Sequence, residues 1–250
     1  MRGAFTDSCG CFPSGRHYPG IAHLLRTVAR GLVAELPGDA PWRDLPIALI
    51  DLETTGRDAS VDRVVEIGVV VGKGGEVVAR HNWLVHPGQP IPEEARAVHG
   101  ISDDDVKDAP RFEAIAGEVA DRLAGCIPGA YNAPFDRAFL VNEFARAGYK
   151  PEGDGPACPA LRRDVEWVDP LVWARELQRE ERSKALGEVA ARLGVALENA
   201  HRASDDAEAA LRVLYALAAD ERVPRLLAPF IQEQRRLSQQ QADERRRWKT

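Results

Sequence analysis

The stretch Ile47-Ala48-Leu49-Ile50-Asp51-Leu52-Glu53-Thr54-Thr55-Gly56 runs from four apolar residues into two acids and a glycine turn. A short continuous apolar run of this kind fills a strand that is covered on both faces. Residues i and i+2 of a strand point to the same side, so Asp51 and Glu53 aim two carboxylates together at its end. The ends of buried strands are where α/β sheets place their sites. An isolated Asp-x-Glu more often just terminates a strand. Here Thr54-Thr55-Gly56 adds a tight turn with two hydroxyls and backbone donors, suited to a sugar or phosphate.

Working outward, Val64 to Val71 and Val77 to Val85 flank Lys73-Gly74-Gly75-Glu76 and read as an antiparallel hairpin. Phe112 to Leu123 has helical periodicity, Cys126 to Tyr131 reads as a short strand, and Pro134 to Ala147 as a helix ending at Gly148. Trp167-Val168-Asp169 reads as a final strand, followed by helices near 171–179 and 185–193 and a last core helix beginning near Ser204. This order predicts an α/β fold, a mixed sheet flanked by helices.

Two appendages bracket that domain. Ile21, Leu24, Leu25, Val28, Leu32 and Val33 recur at helical spacing and predict an amphipathic helix over 21–36, with a stripe that packs on the domain or on a second copy in a homodimer. Beyond Asp220 the chain is Gln/Arg-rich and ends near Arg245-Arg246-Arg247, predicting a partly helical, solvated tail. The expected organisation is an N-terminal extension over 1–45, a main domain over 46–219 and a C-terminal tail over 220–250. Both extreme tails are expected to be dispensable for chemistry on short substrates, except the Ile21 to Val33 helix, whose removal is expected to lower stability or change oligomeric state.

Composition narrows the class. With 250 residues, 44% hydrophobic and 29% charged, the chain suits one substantial domain plus appendages. A net charge of −6 argues against a protein that coats nucleic acid through a broad basic surface, while leaving room for one that grips a strand end through bound cations. No apolar run approaches the roughly 18 residues of a membrane span and no signal-peptide core is visible, so an intracellular, cytoplasmic location is expected. Cysteines at 9, 11, 126 and 158 lack Cys-x-x-Cys pairing, which argues against a disulfide scaffold or structural zinc.

Two further acidic elements sit at predicted helix starts. In Asn132-Ala133-Pro134-Phe135-Asp136, capping by Asn132, an early proline and an acid in the first turn form a sufficient structural explanation. In His201-Arg202-Ala203-Ser204-Asp205-Asp206 the same holds, with Ser204 as N-cap. Together the three elements place acids where sheet-end loops converge. Four carboxylates in one cleft repel unless cations neutralise them, so divalent metal binding follows, and an all-oxygen set favours Mg²⁺ or Mn²⁺ over Zn²⁺.

Asp51-Leu52-Glu53-Thr54-Thr55-Gly56, Asn132-Ala133-Pro134-Phe135-Asp136, and His201 with Asp206 five positions on resemble the three motifs of the DEDDh (DnaQ-like) 3′-5′ exonucleases. Pro90-Ile91-Pro92 with Val98-His99-Gly100-Ile101 resembles the epsilon-like proofreading branch of that family. The likeness covers about residues 46–219. It implies a ribonuclease H-like fold and removal of nucleoside 5′-monophosphates from 3′ ends with two Mg²⁺ or Mn²⁺ ions. It also implies that Asp51, Glu53 and Asp206 hold one ion, that Asp51 and Asp136 serve the other, and that His201 activates water. Leu52, Thr54, Thr55, His99 and Asn132 become the implied substrate contacts. Tyr131 departs from the histidine many members carry there, and the five-residue spacing selects Asp206 over Asp205 as ligand.

The physics is consistent with that implication. Two cations about 3.5 to 4 Å apart can clamp the attacking and leaving oxygens of an in-line displacement, and a neutral imidazole can take a proton from water. The expected partner is a nucleic-acid 3′ end, single-stranded or frayed DNA first, with an RNA-end or oligoribonucleotide exoribonuclease as the alternative. A DNA polymerase is a possible partner, and a non-catalytic metal-binding adaptor is the competing class. His99 reads equally as a solvated loop residue, the tryptophans read as core aromatics, and Gln234-Arg235-Arg236-Leu237 lacks the aromatic anchor of a clamp-binding peptide.

Overall fold

The computed structural model describes residues 36–150, 156–197 and 201–247. Cys9, Cys11 and, except for Leu36, the helix expected over 21–36 lie outside them. Four strands, β1 (Ile47–Thr54), β2 (Val64–Lys73), β3 (Glu76–Leu84) and β4 (Ile127–Ala130), form one sheet in the order β3-β2-β1-β4. β1 pairs antiparallel with β2 and parallel with β4, and β2 pairs antiparallel with β3. The sheet is therefore mixed, with β1 inside it.

Alternation along β1 sorts its side chains into two cores. Ile47 and Leu49 pack in one cluster with Ala207, Ala210, Leu211 and Leu214 of helix α7 (Ala203–Leu217). Ala48, Ile50 and Leu52 pack in the other, with Phe112 and Val119 of α3 (Phe112–Leu123) and Phe139 and Leu140 of α4 (Ala133–Arg146). Helices thus cover both faces of the central strand, and its apolar run needs no polar side.

Three expectations change. The segment containing His99 is helical rather than looped: α1 spans Glu93–His99 and α2 spans Asp103–Val106. Gly100, at φ 73°, ends α1, and Ser102 with Asp105 forms a capping box for α2, a Ser-x-x-Asp signal present in the sequence. Trp167-Val168-Asp169 makes only a single parallel bridge, Gly129 to Val168, because Pro170 begins α5 (Pro170–Leu177) and cuts the extended segment short. A short helix, α6 (Leu186–Arg192), follows.

The solvated tail is the third. From Leu227 to Arg247 the chain is one helix, α8, and Leu227, Phe230, Ile231, Gln234 and Leu237 on it are buried. That i, i+3, i+4, i+7, i+10 stripe is an amphipathic face hidden inside a Gln/Arg-rich sequence. Phe230 stacks between Trp42, at 4.6 Å, and Trp173, at 5.1 Å, while the Trp42 indole N–H donates to the Pro224 carbonyl at 2.8 Å. Trp42, Trp167 and Trp173 are buried core aromatics.

Candidate active site

Asp51 and Glu53 continue the alternation of Ile47 and Leu49, so they emerge at the end of β1 on the face that α7 covers. Asp51 pairs across the ladder with Gly68 of β2, and Glu53 with Glu66, before an irregularity between Glu53 and Thr54 ends the regular register. Gly68 decides how close α7 comes. A Cβ there would lie 2.2 Å from the Ala203 carbonyl carbon and 2.4 Å from the Ser204 nitrogen, so only glycine admits the first turn of the helix onto the strand.

His201 precedes that turn with φ 70°, a left-handed conformation unusual for a residue with a side chain. Its backbone N–H donates to the Asp206 carboxylate at 2.9 Å. Glu53, His201 and Asp206 each offer one ligand atom, and these atoms all lie within 4.8 Å of one another. Asp205 goes elsewhere, to the guanidinium of Arg80 at 2.5 Å. The helix begins at Ala203 with Arg202 at the N-cap position, so Ser204 lies inside the first turn rather than capping it.

Asp136 enters from α4. Asn132 stands at the N-cap position, again left-handed at φ 72°, but its side chain makes no capping bond and it is exposed. Asp136 is buried in the first turn, where its own backbone N–H and that of Leu52 favour the carboxylate. Burial outweighs them and, with repulsion from Asp169 and Glu53, raises its carboxyl.

The remaining acids feel the same field. Burial first, then Asp136, Asp206, Glu53 and Glu66, hold the Asp51 carboxyl well above the usual range. Burial, Asp206 and Glu66 push Glu53 up to about 8 against the opposing charge of Arg202. Asp206 is raised by burial, with the His201 N–H acting against the shift. As anions these groups are unstable together, and a divalent cation among them removes the repulsion. Their hard oxygen donors fit Mg²⁺ or Mn²⁺.

Glu66, which sequence reasoning missed, is fully buried beneath this cluster. It accepts hydrogen bonds from Arg202 at 2.6 Å, Asn82 at 2.9 Å and the Ala203 N–H at 3.2 Å. Its signal was an acid inside the apolar run Val64-Val65-Glu66-Ile67.

The expected substrate contacts are placed less uniformly. Leu52 is buried, and both threonine hydroxyls are engaged inside the protein. Thr54 donates to the Gly56 carbonyl at 2.6 Å, while Thr55 accepts from Arg63 N–H at 3.0 Å and Gln89 Nε2 at 2.9 Å. His99 is buried at the end of α1, where its Nδ1 accepts from the Ile101 N–H at 3.0 Å. Burial lowers the pKa of its imidazole, and a hydrogen bond to the Thr54 backbone carbonyl acts against that shift.

The exonuclease family profile matches residues 48–214, two-thirds of the chain and all three acidic elements. This chain belongs to the exonuclease family. DNA polymerase III PolC-type of Streptococcus suis is 29% identical to this family member over 227 residues, covering 87% of this chain and 15% of that protein. The 3′-5′ exonuclease DinG of Staphylococcus saprophyticus is 29% identical over 160 residues, covering 64% of this chain and 17% of that protein. The chain thus spans under a fifth of the length of these curated relatives. Exonuclease X, solved with 5′ overhanging duplex DNA, superposes with a TM-score of 0.57 at 23% identity, covering 74% of this exonuclease-family chain and 99% of its own. Exonuclease I of E. coli, solved with a dT13 oligonucleotide, gives 0.59 at 19% identity, covering 70% of this chain and 41% of its own. These likenesses show the fold, which is ribonuclease H-like.

Proposed function

We propose that this exonuclease-family chain hydrolyses phosphodiester bonds at the 3′ ends of nucleic acid, single-stranded or frayed DNA above all, and releases nucleoside 5′-monophosphates. The observation that supports the reading is that Glu53, His201 and Asp206 each offer a ligand atom within 4.8 Å of the others, with the buried acids Asp51 and Asp136 in electrostatic reach of Glu53. Asp51, Glu53 and Asp206 would hold one divalent ion and Asp51 with Asp136 a second. Such ions, when bound, supply charge stabilisation to the phosphoryl oxygens in flight.

The chain's own residues do the rest. His201, exposed at the mouth of the cluster, takes the proton of the attacking water. The water oxygen bonds to phosphorus as the bond to the 3′ oxygen breaks, and the released 3′ oxygen takes a proton from solvent to end as the 3′-hydroxyl of the shortened strand. Leu52 and the Thr54-Thr55 turn shape the wall at the end of β1, and His99 and Asn132 flank the path of the strand end. The names of the PolC-type relatives support a DNA substrate and a polymerase as the setting in which the domain works.

Digestion of matched end-labelled DNA and RNA oligonucleotides, single-stranded and 3′-mismatched, with Mg²⁺, Mn²⁺ or chelator tests direction, metal and sugar together. Mononucleotides released from the 3′ end, abolished by chelator and faster on DNA, are expected. Cleavage from the 5′ end, or full activity in excess chelator, sinks the reading. No metal-dependent hydrolysis of any strand would favour an adaptor.

A further inference from the structure

The strand-like segment 167–169 lies against β4 on one side only. The Val168 N–H donates to the Pro128 carbonyl at 2.8 Å, and its carbonyl accepts from the Ala130 N–H at 3.0 Å. The outward-facing groups are then the Trp167 carbonyl and the Asp169 N–H, which an additional strand would normally pair. Here the side-chain amide of Gln234, from α8, takes that place. Its Nε2 donates to the Trp167 carbonyl at 2.9 Å, and its Oε1 accepts from the Asp169 N–H at 2.9 Å. One buried glutamine thus closes the sheet edge as a peptide group would.

Asp169 carries the consequence to the site. Its Oδ1 accepts from the Asn132 N–H at 3.0 Å and the Leu171 N–H at 2.9 Å, and its Oδ2 from the Ala133 N–H at 3.2 Å. The Leu171 bond caps the start of α5, whereas the Asn132 and Ala133 N–H groups belong to the left-handed turn that starts α4 and sets Asp136 in its first turn. A left-handed non-glycine residue persists only where its surroundings over-determine it, and Asp169 supplies that constraint. We propose that Gln234, through Asp169, is a positioning residue for Asp136, so that the C-terminal helix, which lies beyond the family-matched residues 48–214, is a working part of the exonuclease domain. The inference rests on the proposed role of Asp136.

The test compares Gln234→Leu and Asp169→Asn with Leu237→Ala, which removes a buried side chain from the same helix without touching Asp169. Steady-state kinetics on a 3′-labelled oligonucleotide are measured well below each variant's Tm, across a Mg²⁺ titration. Gln234→Leu and Asp169→Asn are expected to lower kcat about 10- to 100-fold, the scale of a sub-ångström to ångström misplacement. They should also raise the half-saturating Mg²⁺ several-fold, with KM for the strand within about 3-fold. Leu237→Ala should lower Tm and keep kcat and the Mg²⁺ dependence of the wild type within about 3-fold. If Gln234→Leu does not fold, Asp169→Asn, which keeps the side-chain volume, decides in the same terms. Kinetics of Asp169→Asn that match Leu237→Ala overturn the inference. An Asp136→Asn chain with wild-type turnover overturns the functional reading itself, and the inference with it, whereas an inactive Asp136→Asn beside an unaffected Asp169→Asn overturns the inference alone.

Discussion

At the scale of single residues, the four acids and His201 separate by what each loses on substitution. Asp206→Asn removes a negative donor from the Glu53–His201–Asp206 group, so Mg²⁺ binding by calorimetry and turnover should both collapse. His201→Asn removes the proton acceptor and leaves the carboxylates, so metal affinity should persist while kcat falls about 10²- to 10⁴-fold. Near-wild-type kcat in His201→Asn, or lost metal binding in Asp205→Asn instead of Asp206→Asn, would reverse the assignment. The raised carboxyls also fix the sign of a pH effect. Asp51, Asp136 and Asp206 are raised and Glu53 is pushed up to about 8, so between about pH 4 and that value the metal-free folded chain holds more protons than the unfolded one. The stability these groups contribute is present in full below the unfolded carboxyl range and is lost as pH rises through the folded values. Divalent cations relieve that loss, so the gain in Tm on adding Mg²⁺ should grow from about pH 5 to about pH 8. Melting curves with and without chelator check this, and a gain that shrinks with pH would mean the acids do not share a cation.

Between elements, the decisive contact is the seating of α7 on β2. Gly68→Ala would drive a Cβ into the Ala203 carbonyl at 2.2 to 2.3 Å, against backbone that cannot swing aside. It should cost about 1 to 3 kcal/mol as an overpacking change, lift the turn that carries His201 and Asp206, and lower activity. Gly117→Ala in α3 is the control, since its Cβ would meet only the Tyr149 hydroxyl, at 3.5 Å, and should be neutral or stabilising. Equal melting temperatures and rates for the two variants would refute the seating argument. What the sequence revealed follows from the range of each signal. β1, the hairpin, α3, α4 and α7 are written in local periodicity, and the acids stand at element ends that periodicity locates. Glu66, Asp169 and Gln234 are legible only through distant partners, at separations of 137, 37 and 65 residues for Glu66 with Ala203, Asp169 with Asn132 and Gln234 with Asp169. The segment 167–169 looked like a strand because its backbone is extended, but its outer partner is a side chain, which no strand pattern announces.

At the scale of the whole molecule, α8 behaves as core in its first half and as surface in its second. Phe230 is fully buried between Trp42 and Trp173, and a large-to-small change there costs about 3 to 5 kcal/mol in typical cores. Domains carry about 5 to 15 kcal/mol in all, so Phe230→Ala should fold with a clearly lowered Tm. Ending the chain after Asp220 removes Leu227, Phe230, Ile231 and Leu237 at once and strips partners from Trp42 and Trp173, so that chain should fail to fold as a soluble, active species. Ending it after Asp243 removes only the exposed final turn of the helix, Glu244 to Arg247 among the described residues, and leaves every buried position of α8 in place. That shorter chain should match the full one in Tm within a degree or two and in turnover on short oligonucleotides. Thermal melts and end-label digestion of the three chains, side by side, check the prediction. A chain ending at Asp220 that melts cooperatively and digests 3′ ends at the full rate would show that α8 is an appendage, and a chain ending at Asp243 that loses activity would place the terminal arginines in contact with the strand.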